Sequence, residues 1–331
     1  MNHHKGAALI VVLLIVMLTA SLFIQFAYRE SLKSEIELIS GQVDRSVFVA
    51  LSAERWAKKL LSDDARKSSV DTLDEDWTQN VKDLPIDDTL VTAQLIDLNR
   101  FINLNRFSKQ KTNENDSSFN EYNKHERIVE RLMRFVGYQG GEALDSLVDW
   151  QDQDDAPTRQ GSESAEYQLL DTPYRSANTS LSHINELFFI NGFDRELIDA
   201  LRPYVAVFPA QGGLINVNTA SKEVLAMLSP EIDLQTAQRL LEMREKTPWS
   251  SARAFIVDLM ALKGYQEADG QHNLSSDLTG LIGVESDHFL LTMDVRSSDV
   301  TMRVESLISK EKINKAVTTK VISRSFDFRT L

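Results

Sequence analysis

The 331 residues carry 36 basic and 49 acidic side chains, a formal charge of −13, and 42% of them are hydrophobic. That length leaves room for two compact units, and the acidity argues against nucleic acid as the main partner while suiting cations. There is no cysteine, which excludes disulfides, thiol catalysis and cysteine-based zinc sites.

From Ala7 to Ile24 no charge interrupts the chain. About eighteen apolar residues suffice to cross a bilayer as a helix. Helical spacing then continues through Leu32, Ile36, Ile39, Val43, Val47, Ala50, Ala57 and Leu60. Together these predict one helix over 7–61, roughly 80 Å long. Its first half suits lipid, and its second half carries a single apolar stripe that suits a sheet or a partner. A secretory signal would have a shorter apolar core and a small-residue cleavage site, and no such break occurs. Lys5 and the flanking histidines put the N-terminal side in the cytoplasm and the bulk of the chain outside. Periodicity alone fits an ordinary single-pass anchor equally well.

After Leu61 the chain turns acidic, through Asp63, Asp64, Asp71, Asp74, Glu75 and Asp76. This reads as a solvated connecting loop with a short helix around Trp77–Leu84. A strand begins near Leu90, where Val91, Ala93 and Leu95 alternate with Thr92, Gln94 and Ile96. A polar loop is expected over 113–120, then helices over 126–136, 142–150, 222–228, 234–244 and 252–261. Strand patterns return over 288–295, from Val300 onward and over 316–326, with Ser297-Ser298-Asp299 as a turn. Strands at both ends with helices between predict an α+β chain. The long N-terminal helix packs on a small antiparallel sheet, and a large all-α domain is inserted over 106–285. The sheet is then shared between 62–105 and 286–331. Two separate sequential domains fit the residues almost as well.

Three constellations carry chemistry. Asp149, Asp152 and Asp154, followed by Glu163 and Glu166, can aim oxygens at one point. A calcium ion takes six to eight such ligands. The spacing is not that of an EF-hand, and a solvated acidic loop is the competing reading. Asn216-Val217-Asn218-Thr219-Ala220 ahead of two helices looks like the start of a helix-hairpin-helix unit. DNA-binding versions need bare glycine amides between the helices, but this hairpin reads Ser229-Pro230-Glu231-Ile232-Asp233. Negative charge there excludes phosphate, so no nucleic acid is expected. The Ser182-His183 and Asp287-His288 pairs lack a nucleophile elbow or metal spacing, so no enzyme activity is expected.

Lys5-Gly6 followed by Ala7-Ala8-Leu9-Ile10-Val11-Val12-Leu13-Leu14 resembles a type IV pilin-like prepilin leader. The resemblance implies that residues 1–6 are a leader, cut between Gly6 and Ala7 by an inner-membrane prepilin peptidase, with methylation of the new terminus. Pilins place a glutamate five residues into the mature chain, where it meets the amine of the subunit ahead; here that position is Val11. A buried acid without a partner is costly, so an apolar residue suits a subunit with nothing ahead of it. With its length, its Asp-Trp-x-Asp-x-Asp stretch and Pro173-Tyr174-Arg175-Ser176-Ala177-Asn178, the chain resembles the minor pseudopilin K family of the type II secretion system. Membership implies a cap at the tip of a periplasmic pseudopilus that supports assembly and limits growth. It implies I-like and J-like minor pseudopilins as partners and structural calcium in the inserted domain. Asp152, Asp154 and Glu163 become the main ligand candidates, with Asp149 and Glu166 secondary. Ser164-Ala165 replaces an acidic pair of the family. A type IV pilus minor pilin or DNA-uptake component remains an alternative, as does a plain anchored periplasmic domain.

Overall fold

A computed structural model describes residues 3–107, 117–209, 213–265, 274–298, 300–313 and 316–330. Helix α1 (His3–Lys67) runs unbroken for 65 residues and contains one stretch long and apolar enough to cross a membrane. Leu13, Leu22, Phe23 and Phe26 along that stretch are exposed. Burial starts at Ser46, and Val49, Ala50, Ala57 and Leu61 then pack into the sheet's core. The helix passes its expected end at 61 because Leu61 and Ala65 stay buried. Arg66 and Lys67 also complement the negative helix terminus.

The expected helix around Trp77–Leu84 is replaced by one 3-10 turn over Asp76–Thr78 and by strand β1 (Val81–Ile86). The missed signal was turn chemistry. Asp87 takes a left-handed φ of +52°, which Asp tolerates, and so closes a two-residue hairpin onto β2 (Thr89–Asp97). The sheet therefore starts at Val81 rather than near Leu90. Trp77 is buried edge-on to Phe289, with ring centroids 5.3 Å apart.

The chain leaves the sheet at Asp97. There follow β3 (Ile102–Asn103), α2 (Ser117–Phe135), α3 (Glu142–Gln151), α4 (Ser164–Tyr167) and α5 (Arg195–Leu201). Next come β4 (Val205–Ala206), β5 (Ile215–Asn216), α6 (Lys222–Met227), α7 (Leu234–Lys246), α8 (Ala252–Lys263), α9 (Leu274–Leu278) and β6 (Ile282–Gly283). Of the polar loop expected over 113–120, residues 117–120 are helical and the rest lie outside the described residues. Two short parallel bridges, β3 with β4 and β5 with β6, each close one half of this region. Its core joins Ile128, Leu132, Leu147, Leu187, Ile198, Leu225, Leu240 and Phe255. Ile102 and Leu104 belong to it as well, so the crossing lies just after β2.

The chain then returns as β7 (His288–Arg296), β8 (Val300–Ile313) and β9 (Ala316–Thr330). The five-stranded order is β1-β2-β7-β8-β9, antiparallel throughout. Phe289, Leu291, Met293 and Val295 share one face by strand alternation and meet Met302, Val304, Ile308 and α1. Glu54 of α1 holds β9 through a two-pronged pair with Arg324, at 2.7 and 2.9 Å, and accepts the Ser306 hydroxyl at 3.0 Å. The expected α+β architecture, a long helix on a small antiparallel sheet interrupted by a helical insertion, is the one observed.

Buried asparagines seal the insertion. Asn218 accepts from Trp249 N and donates to Trp249 O, both at 2.9 Å, as a strand neighbour would. Asn105 does the same with Leu181 N and O, each at 2.8 Å. Each amide replaces the backbone partners that an irregular segment lacks.

Candidate metal centre

Helix α3 is apolar on one side, with Leu144, Leu147 and Val148 in the core. On another face it carries Asp145 and Asp149, one turn apart. Both hold the loop that follows. Thr158 N donates to the two oxygens of Asp149, at 3.0 Å each. Gln160 N donates to Asp145 Oδ2 at 3.2 Å, and Arg159 Nε lies 3.2 Å from Asp145 Oδ1. Gly161 closes the loop against α3, where a Cβ would stand 1.9 Å from Asp149 Oδ2. This hairpin brings Glu163 back over the end of α3.

Asp152, Asp154 and Glu163 offer carboxylate oxygens that all lie within 4.8 Å of one another. These three are the main ligand candidates read from the sequence. Glu163 is 1% exposed, and its Oε1 is buried with no hydrogen-bond partner. Its other oxygen accepts the Ser176 hydroxyl at 3.2 Å. Burial pushes the Glu163 carboxyl up to about 7, against the Ser176 bond, and repulsion from Asp149, Asp152 and Asp155 adds to the rise. A buried carboxylate oxygen facing two further acids suits a hard cation, and the donor set, all oxygen, suits calcium.

The two secondary candidates stand apart from that trio. Asp149 has both oxygens turned to Thr158 N and positions the loop. Glu166 Oε2 accepts from Glu163 N at 2.9 Å, fixing the start of α4. Residues not singled out as ligands also meet here. Ser176 Oγ lies within hydrogen-bond distance of both Glu163 Oε2 and the side-chain Oδ1 of Asn178, 3.2 and 2.6 Å away, with one proton to share between them, and Asn178 adopts a φ of +47°. The Pro173–Asn178 phrase was the only signal for them. Behind the site Trp150 sits edge-on to Tyr167, which stacks on Tyr174 at 5.1 Å.

In the helix-hairpin-helix-like segment, two backbone amides already have side-chain acceptors. The amide of Glu231 is taken by Ser229 Oγ at 3.2 Å, and that of Thr236 by Asp233 at 2.7 Å. Arg244 clamps the carbonyls of Val217 and Ala220, and Arg131 those of Met227 and Leu228. Leu225, Leu228, Leu240 and Trp249 are core, with Leu241 packed against it. At the other end of the chain, Gly6 and Ala7 lie in the backbone of α1, and Val11 is exposed on it.

Two family models match, both described as type II secretion system protein K, over residues 100–210 and 215–275. A type II secretion system protein K from Pseudomonas aeruginosa is 30% identical over 78% of each chain. One from Klebsiella pneumoniae is 29% identical over 94% of each, and one from Pectobacterium carotovorum 27% identical over 93% of each. In fold, the chain is similar to one in the crystal structure of the GspK-GspI-GspJ complex of the enterotoxigenic Escherichia coli type 2 secretion system. The TM-score is 0.72 at 21% identity, over 87% of this chain and 98% of that one. With matches along both the insertion and the whole length, this chain belongs to the type II secretion system protein K family.

Proposed function

We propose that this chain is a minor pseudopilin at the tip of the type II secretion pseudopilus, where its helical insertion caps the fibre and limits growth. The observation that carries this reading is Val11. The segment from Ala7 to Ile24 contains no acid, so the helix has no buried charge that needs a subunit ahead of it. In the proposed pathway the leader is cut after Gly6 by the prepilin peptidase and Ala7 is methylated. The bulk of the chain stands in the periplasm, anchored in the inner membrane by α1. The neighbour of similar fold comes from a complex with two further components, which supports I-like and J-like pseudopilins as partners here. The reading is one of assembly rather than turnover.

The test is the mass of the N-terminus recovered from cells that hold the peptidase, together with co-purification of the candidate partners. A methylated Ala7 terminus and a ternary complex support the reading. An uncut leader would leave a plain anchored domain.

The same proposal includes structural calcium held by Asp152, Asp154 and Glu163, with Ser176 and Asn178 steadying Glu163. When bound, the ion would supply two positive charges that offset most of the repulsion among the three carboxylates and would fix the 152–178 loops to α3. Calcium added to the metal-free full chain in detergent is expected to raise its thermal midpoint. At a free concentration one hundred times the dissociation constant, the gain is about 2.7 kcal/mol. Glu163→Gln should remove most of that gain, and magnesium should give little, since it demands tighter octahedral geometry. An unchanged midpoint with calcium sinks the metal reading and leaves the pseudopilin reading standing.

A further inference from the structure

Between the sheet and the insertion lies a buried polar clasp built around Asp97, at the last position of β2. Asp97 is 2% exposed. Its Oδ2 accepts the Thr219 hydroxyl at 2.5 Å and the Ser286 hydroxyl at 2.8 Å, and its Oδ1 accepts Asn99 N at 2.8 Å. These donors come from three places: the outgoing crossing, the segment ahead of α6 and the returning crossing. Asn216 extends the clasp by donating to Ser286 Oγ at 2.8 Å and to the Asp71 carbonyl at 3.0 Å. Asn99 adds bonds to Leu214 O, Asp287 Oδ1 and the amides of Asp287 and His288. One carboxylate thus sits where both crossings and the segment ahead of α6 meet, beside a separate apolar contact of Ala206 and Phe208 with Leu290 and Leu307.

All three donors to Asp97 are neutral. The charged groups around it are committed elsewhere. On the loop after α1, Asp71 is paired with Lys310 of β8 at 2.5 Å, with Asp64 and Glu75 grouped beside it. On the returning crossing, Glu285 precedes the clasp, and Asp287 holds His288 Nδ1 at 2.7 Å. In the insertion, Arg244 is bound to the carbonyls of Val217 and Ala220, and Arg100 follows Asn99. A carboxylate removed from water with no cation bonded to it holds its proton more tightly.

We propose that the clasp is a proton-operated latch: proton uptake by Asp97 locks the helical insertion onto the strand layer, and proton loss loosens it. The geometry accommodates both forms. A protonated Oδ2 donates to Thr219 or Ser286, and the Thr219 hydroxyl turns to Asn216 O, 3.4 Å away. Burial pushes the Asp97 carboxyl up to about 6, opposed by the bonds from Thr219, Ser286 and Asn99 and aided by Asp71. Because the folded value lies above the ordinary one, the stabilisation is full below the ordinary carboxylate range and fades as pH rises through about 6. The latch is a property of the fold and stands independently of the tip reading.

The absence of native cysteine permits a direct test on the full chain in detergent. Dyes on Lys82→Cys in β1 and Arg195→Cys in α5, both exposed positions, report the spread of distances between sheet and insertion. The spread should be narrow at pH 5 and broaden toward pH 8, with a midpoint near 6. Asp97→Asn, whose amide imitates the protonated acid, should stay narrow throughout. Thr219→Val removes a donor to the charged form and should raise the midpoint by about one pH unit. His288→Gln should leave the midpoint in place. A spread independent of pH in the unsubstituted protein, or a midpoint that survives Asp97→Asn or disappears in His288→Gln, overturns the proposal.

Discussion

Replacing Lys310 by methionine is expected to destabilise the sheet unit by about 3–5 kcal/mol, the loss typical of breaking a buried ion pair from one side. Lys310 is 8% exposed, lies 2.5 Å from Asp71 Oδ1 and sits over the Phe289 ring at 5.2 Å. Methionine keeps most of the volume and removes the charge. Asp71 then stays buried beside Asp64 and Glu75, three carboxylates within 4.8 Å that have lost their buried cation and keep only exposed Lys67 near Asp64. Asp64 Oδ2 is already buried without a hydrogen-bond partner.

The sign of the pH dependence follows from the same cluster. Burial raises Glu75 to about 7, against the hydrogen bond from Trp77, and burial followed by Asp71 raises Asp64. Carboxyls raised on folding stabilise most when protonated, and that contribution is lost as pH climbs through their folded values. Urea denaturation should therefore show a smaller loss for Lys310→Met at pH 5 than at pH 8. An equal loss at both would mean that the lysine acts through packing alone.

The second large effect is expected at Gly161. A methyl group there would stand 1.9 Å from Asp149 Oδ2 and 2.9 Å from the carbonyl of Asp145. Asp149 cannot swing aside without giving up the Thr158 amide, which it holds with both oxygens. Gly161→Ala should cost on the order of 3 kcal/mol, the upper part of the overpacking range. It should also weaken any cation at the centre, because Glu163 follows two residues later on the displaced strand of loop. Thermal unfolding with and without calcium reads both effects. An unchanged midpoint would mean that the loop can shift at no cost, and the rigid platform assigned to Asp145 and Asp149 would be wrong.

Much of the architecture was legible in the residues because period and composition report directly on solvent. An uncharged, largely apolar run from Ala7 to Ile24, then one apolar stripe, points to a helix that changes surroundings along its length. The alternation Phe289, Leu291, Met293, Val295 likewise gives away a half-buried strand. β1 escaped notice because Val81–Ile86 contains Pro85 and little alternation. Its place in the sheet is set by the Asp87 turn and by pairing with β2. At the candidate metal centre, residue type and local spacing gave five acids without choosing among them, and the family resemblance put Asp152, Asp154 and Glu163 ahead of Asp149 and Glu166. In the fold, Asp149 and Glu166 turn oxygens to backbone amides.

What the linear order of residues settled by itself is the membrane-length helix, strand patterns at both ends with helical ones between, and the acidic character of one loop. Each depends on neighbours within a turn or two, where hydrophobic period and turn chemistry act. What only the tertiary structure decided is which carboxylates are stranded away from water and what faces them. Asp71 meets Lys310 across 239 residues and Asp97 meets Thr219 across 122. Such pairings come from the closing of the sheet around an insertion, and the desolvation they impose has no counterpart in local sequence.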